Sequence, residues 1–225
     1  MEYFENLIQF FSFLKNENID HNKELIIFDI GSRDCMHAVK FSQVFPNAKI
    51  FSFECNTNTL PICKKNIELY PNITLIDKAV NDFNGVCDFY PIDQEKKITT
   101  WKDGNPVASS MFLSNGNYNS IETYVQNKIQ VECIRMDKIM KGFNIDHVDI
   151  VWMDLQGAEL LALKSFGEYL DKIKYIHTEV SYKPIYEGQV LFNELHNFLI
   201  NNNFTNINNP NFIGWQEDII YKNNI

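Results

Sequence analysis

The sequence predicts an α/β fold, a mostly parallel sheet with helices on both faces and an antiparallel hairpin at its C-terminal end. Three observations carry this. Short apolar runs rich in Ile, Val and Phe alternate with longer stretches of helical periodicity. The runs are apolar throughout rather than alternating, as strands buried on both faces are. The last two runs, 204–209 and 213–223, are separated only by a short turn-prone loop.

In order, Phe4, Leu7, Ile8, Phe11 and Leu14 recur at helical spacing, predicting an amphipathic helix over 2–16 within an N-terminal segment 1–20. Then come a strand in "KELIIFDIG", a helix in "CMHAVKFSQVF", a strand in "AKIFSFE" and a helix in "NTLPICKKNIELY". Pro61 fits only in the first turn of that helix. "NITLIDKAV" reads as a third strand. "GVCDFYPI" and "KIQVECIRMD" are β-rich without long helices, and 93–127 between them is a polar, irregular insert of lid-like length. Alternation resumes with a strand in "HVDIVWMD", a helix in "GAELLALKSFGEYL", a strand in "IKYIHTEV" and a helix in "GQVLFNELHNFLINNN". With 225 residues, no repeat and no linker, one domain over 1–225 is expected.

Composition excludes several classes. Net charge is −9 and only Arg33 and Arg135 are arginines, which counts against a nucleic acid or an anionic membrane as partner. No stretch reaches the roughly 18 apolar residues of a membrane span. The N-terminus lacks a small-residue cleavage site. Five scattered cysteines without a C-x-x-C pair suit a reducing compartment, so a cytoplasmic protein is expected. No metal-ligand set is assigned. An exposed apolar face on the first helix would support a homodimer, and packing of that face on the domain's own core stays equally open.

The loop after the first strand, "DIGSRDC" at 29–35, lies where doubly wound sheets bind ligands. Gly31 permits a tight turn and Asp34 can cap the following helix. Glu54, twenty-five residues past Asp29, ends the next strand, where an acid can accept hydrogen bonds from both hydroxyls of a ribose. The loop lacks the second and third glycines that a pyrophosphate needs, and it carries an acid instead. An acidic loop suits the sulfonium and ammonium of S-adenosylmethionine better than a nicotinamide dinucleotide.

A second segment, "VDIVWMDLQGAELLALKSFG" at 148–167, puts Asp154 at a strand end, Gly157 in the turn and Glu159 in the first helical turn. Together "DIGSRDC", "FECN", "KAVNDFNGVCDFY", "ASSMF", "VECIRMDKIM", "DLQGAE" and "IHTEVSYKPIYEG" resemble, in this order or close to it, the FkbM-type S-adenosylmethionine-dependent methyltransferases, over roughly 25–190. Cys35 departs from that pattern at the loop's last glycine. Trp152 stands where a lysine is frequent, and Gln156 where a glutamate is frequent.

The resemblance implies a class I, Rossmann-like methyltransferase with a seven-stranded sheet, S-adenosylmethionine as cofactor and O-methylation of a small molecule or sugar. On it, the cofactor residues are Asp29, Gly31, Ser32, Arg33, Glu54, Cys55, Asn56, Ala79, Val80, Asp154 and Gln156. Methyl transfer to oxygen needs an aligned acceptor and a group that takes its proton. Asp154, His177 and Glu179 end central strands and are the catalytic candidates, with a hydrogen-bonded core role open for His177. Ser109, Ser110, Tyr182 and Lys183 are candidate acceptor contacts, with Tyr186 and Trp101 beside them. Two other readings stay open. One is a methyltransferase-like binding module without chemistry; the other is a nicotinamide-dependent oxidoreductase.

Overall fold

A computed structural model describes residues 4–96, 105–208, 210 and 213–225. Its helices are α1 (Glu5–Asn16), α2 (Met36–Val44), α3 (Leu60–Asn66), α4 (Met136–Gly142), α5 (Glu159–Ser165) and α6 (Phe192–Asn201). Seven strands form the main sheet: β1 (Ile26–Ile30), β2 (Lys49–Phe53), β3 (Ile73–Ile76), β7 (Val148–Met153), β8 (Ile173–Ser181), β9 (Phe204–Asn206) and β10 (Gln216–Asn223). Their order is β3-β2-β1-β7-β8-β10-β9. Neighbours are parallel from β3 to β8, while β10 runs antiparallel to both β8 and β9. The C-terminal hairpin is therefore present, with its second strand inserted between β8 and β9.

Every residue of β1 and β7 is buried, as apolar-throughout strands at the centre of such a sheet must be. One face packs α1, α2 and α3 through Leu7, Phe10, Leu14, Val39, Phe41 and Cys63. The other packs α4, α5 and α6 through Met136, Ile139, Leu163, Leu195 and Leu199. The apolar face of α1 thus lies on its own domain, and Ile8 is the large apolar side chain of α1 left exposed.

The structure departs from the sequence reading at three places. The expected strand 72–80 is two strands, β3 and then β4 (Ala79–Val80), which leaves the main sheet. With β5 (Gly85–Phe89) and β6 (Ile129–Ile134), β4 builds a separate sheet of order β4-β6-β5. "KIQVECIRMD" is not strand throughout, since α4 starts at Met136. The helix expected over 157–170 stops at Ser165 and continues as a 3₁₀ turn, Gly167–Lys172, because Gly167 takes φ +54°.

Strand order reverses between β1 and β7, since the chain leaves β1 toward β2 and β3 but leaves β7 toward β8. Ligands bind outside the carboxyl ends of the strands at that point. Gly31 and Asp154 occupy it.

Candidate active site

The two loops at the switch point are tied to each other and to β2. Gly31 N and Ser32 N both donate to Phe53 O at 3.0 Å, and Asp154 N donates to Ile30 O at 3.1 Å. Gly31 has φ +84°, and a Cβ there would lie 2.0 Å from Asp154 O. Only glycine permits that approach. Arg33 (φ +55°), Cys35 (+61°) and Gln156 (+50°) also hold left-handed backbone. Such conformations cost roughly 1–3 kcal/mol each and collect where a site over-determines the chain.

Cys35 does not close the site. Its side chain is fully buried in the core beneath the loop, 3.3 Å from Ser52 Oγ, and is absent from the cavity wall. Asp29 is also beneath the loop. Its Oδ2 accepts from Ser52 Oγ at 2.9 Å, and its Oδ1 meets no hydrogen-bond partner among the described residues. Burial pushes its carboxyl up to about 7. Ser32 is buried too, donating to Phe53 O at 2.9 Å. Asp29 and Ser32 therefore support the loop from below and do not line the cavity.

A narrow cleft of about 60 Å³ opens above the loop. Its wall brings together Gly31, Arg33, Glu54, Cys55, Asn56, Ala79, Val80, Asp154 and Gln156 from the cofactor set, and Ser109 from the acceptor set. Glu54 closes one end. Its Oε2 accepts from Arg33 N at 2.7 Å and its Oε1 from Asn56 N at 2.6 Å. Burial outweighs those bonds and pushes the carboxyl up to about 7. Asn56 Nδ2 reaches Ser109 Oγ at 3.3 Å, which ties the insert to the loop after β2. The small sheet supplies the opposite wall through Ala79, Val80 and Phe89. Sequence reading missed Thr59, Lys78, Phe89 and Met111 here, since nothing local to them marks a cleft wall.

The residues fit S-adenosylmethionine. Glu54 offers a carboxylate where a ribose would lie, and Asp154 offers one to a cationic group. A dinucleotide fits poorly, because Asp34 Oδ1 already accepts from Met36 N at 3.1 Å at the start of α2.

A second cavity lies across Asp154 and Gln156, which line both. Glu179, Gln216, Tyr118, Tyr124, Glu122 and Asn105 form much of its remaining wall. Residues 105–127 of the insert thus wall the second cavity, while 97–104, Trp101 among them, fall outside the described residues. Gln156 Nε2 donates to Asp154 Oδ1 at 2.8 Å and to Glu179 Oε2 at 3.0 Å. Gln216 Nε2 donates to the same Glu179 oxygen. Burial pushes both carboxyls up, Glu179 most, because repulsion from Asp154, Asp218 and Glu159 adds to burial there. Glu159 Oε1 accepts from Leu155 N at 2.9 Å and Gly157 N at 3.1 Å, so it holds the turn.

Three candidates lie elsewhere. His177 is not at the acceptor cavity: its ring stacks on Trp152 with centroids 3.6 Å apart, and Phe10 of α1 covers it edge-on at 5.5 Å. It is 3% exposed, and burial drives its imidazole down to about 3, so it stays neutral. Tyr182 donates to Glu217 and packs on Phe192, and Lys183 sits over the Trp215 ring at 5.1 Å. Neither lines the two cavities. Ser110 Oγ donates to Gln156 O at 2.8 Å, so it pins the turn. Tyr186 Oη lies 2.9 Å from both Gln156 Oε1 and Ala108 O.

Residues 29–205 match the model of the "Methyltransferase FkbM domain". The chain belongs to that family. A relative in Sinorhizobium fredii, the 2-O-methyltransferase NoeI, is 31% identical over 167 residues, 73% of this chain and 67% of that protein. Among solved structures, the Methanococcus jannaschii fibrillarin pre-rRNA processing protein is similar in fold. Its TM-score is 0.50 at 9% identity, over 91% of this chain and 68% of that one. M. capricolum TrmK, solved with S-adenosyl-homocysteine, gives a TM-score of 0.46 at 15% identity, over 90% of this chain and 64% of that one. The FkbM-type protein described here is thus a class I methyltransferase, an enzyme. Among the described residues, no helix is long and apolar enough to cross a membrane.

Proposed function

We propose that this chain transfers a methyl group from S-adenosylmethionine to a hydroxyl oxygen of a small molecule or sugar. The observation that carries the reading is the shared wall. Asp154 and Gln156 face a cleft fitted to the cofactor on one side and a wider polar cavity on the other. The 2-O-methyltransferase relative supports oxygen as the acceptor atom.

When bound, S-adenosylmethionine supplies the activated methyl. Glu54 and Asn56 hold its ribose end, Gly31 and Arg33 form the floor, and Asp154 lies toward its charged end. Tyr118 and Tyr124 offer ring faces to a sugar-like acceptor, and Gln216 and Glu179 offer hydrogen-bond partners. The acceptor's proton passes to the Asp154–Glu179 pair, whose raised affinity for protons brings it closer to the working pH. His177 takes no part in that transfer. An acidic chain of net charge −9 with five free cysteines supports a cytoplasmic enzyme acting on a non-nucleic-acid acceptor.

Calorimetric titration with S-adenosylmethionine and S-adenosylhomocysteine tests this, followed by a screen of hydroxylated sugars with labelled methyl donor. Binding of both and transfer to oxygen are expected. A folded protein that binds neither is a binding module without chemistry.

A further inference from the structure

We propose that Gln156 is a positioning residue for the proton-accepting carboxylates, its side-chain amide giving one hydrogen to Asp154 and the other to Glu179. This rests on the methyltransferase reading, because it assigns that pair its task.

An amide nitrogen has two hydrogens and no lone pair to offer an acid. Here the two short contacts from Nε2, 2.8 Å and 3.0 Å, go to two different carboxylates. Behind the amide, the Tyr186 hydroxyl lies 2.9 Å from Oε1 and 2.9 Å from Ala108 O, two acceptors that share its one hydrogen. Turning the amide over would aim its oxygen at both acids. The backbone is held as firmly. Gln156 keeps φ +50°, its carbonyl accepts from Ser110 Oγ at 2.8 Å, and the residue is 92% buried by its 8% exposure. A strained, fully bonded residue between two cavities is where a site fixes geometry.

The electrostatics point the same way. Asp154 and Glu179 are half-buried on either side of the Gln156 amide, with Asp154, Glu159 and Asp218 adding negative charge toward Glu179 and Arg33 offering the positive charge felt by Asp154. Tyr118, Tyr124, Tyr186 and Glu122 face them from the other walls. Against burial of both acids and the repulsion on Glu179, the bonds from Gln156 favour the ionised form of each. Gln216 adds a second amide hydrogen on Glu179 Oε2. Glutamate at 156 would keep the length, lose both donors and add a carboxylate.

The test needs no acceptor. Side-chain carboxyl ¹³C shifts of labelled Asp and Glu are followed against pH in the wild type, with Asp154→Asn and Glu179→Gln for assignment. The pair is expected to titrate in two steps. Gln156→Met, of similar length without donors, should raise the upper step by about one pH unit, a tenfold change in proton affinity. Gln156→Glu should raise it further, and Tyr186→Phe, which only frees the amide, by less. Tyr186→Phe also serves if substitution at the strained position 156 prevents folding. Unchanged titration in the folded variants would overturn the proposal. Calorimetry with S-adenosylmethionine on the same wild-type sample separates the two readings: no cofactor binding sinks the methyltransferase assignment, whereas the titration decides the role of the amide.

Discussion

His177 and Glu179 share one face of β8, two residues and about 6.6 Å apart along the strand. Their surroundings differ completely. His177 lies in the middle of the sheet, where α1 lays Phe10 across it and Trp152 stacks beneath it. Glu179 lies past that cover, at the carboxyl edge, bonded to two amides and open to a cavity. Two residues of strand separate a ring covered by aromatic side chains, with Asp218 Oδ1 3.9 Å away, from a carboxylate open to the second cavity. In a parallel sheet the height of a side chain above the helices, more than its chemical type, decides whether it meets a ligand.

The contrast predicts that changes at the edge alter binding and changes in the covered middle alter stability alone. Gly31→Ala sits where the two meet and should have the largest effect. A Cβ 2.0 Å from Asp154 O forces β1 and β7 apart, with a loss of stability of about 3 kcal/mol or more read by denaturant unfolding. Glu54→Ala, an edge change, should weaken S-adenosylmethionine binding roughly 30- to 100-fold by calorimetry, the value of one or two hydrogen bonds to a charged group. Its melting temperature should fall much less than that of Gly31→Ala.

Four acids with raised proton affinity add a test through pH. Asp29, Glu54, Glu159 and Asp218 are each pushed up to about 7 by burial. Between their ordinary values near 4 and pH 7 the folded chain binds more protons than the unfolded chain, so these groups stabilise it as pH falls. His177, held down to about 3, works against them below pH 6.5. Four groups outweigh one. The ligand-free protein should melt higher at pH 5.5 than at pH 8, by roughly 3 °C or more in a calorimetric scan. Cys35→Gly should have the smallest effect. Relief of the left-handed backbone, about 1 kcal/mol, is offset by loss of a buried side chain. Cofactor affinity should be unchanged, because Cys35 points away from the cleft.

Local pattern made the edge partly legible. Apolar runs ending in Asp-x-Gly, Phe-Glu or Met-Asp place Gly31, Glu54 and Asp154 at strand ends, and the cleft wall contains all three. The middle was less legible. The alternation in "KYIHTEV" puts His177 and Glu179 on one face, but only the docking of α1, 160 residues away in the chain, shows which is covered. Tyr182 and Lys183 follow a strand end, yet they turn toward Phe192 and Trp215 because the C-terminal hairpin passes beside them. The small sheet was hidden for a similar reason. β4 is two residues long, and its partner β6 lies about fifty residues on, a pairing that no local periodicity encodes.

The most direct measurement is labelled-methyl transfer by His177→Phe and Glu179→Gln, each saturated with S-adenosylmethionine, on an acceptor found by screening. Phenylalanine keeps the stack on Trp152, so His177→Phe should hold kcat within about threefold of wild type, while Glu179→Gln should lose about 100-fold or more, the value of general-base catalysis. A large loss in His177→Phe with full activity in Glu179→Gln would contradict the account and return the proton to the histidine.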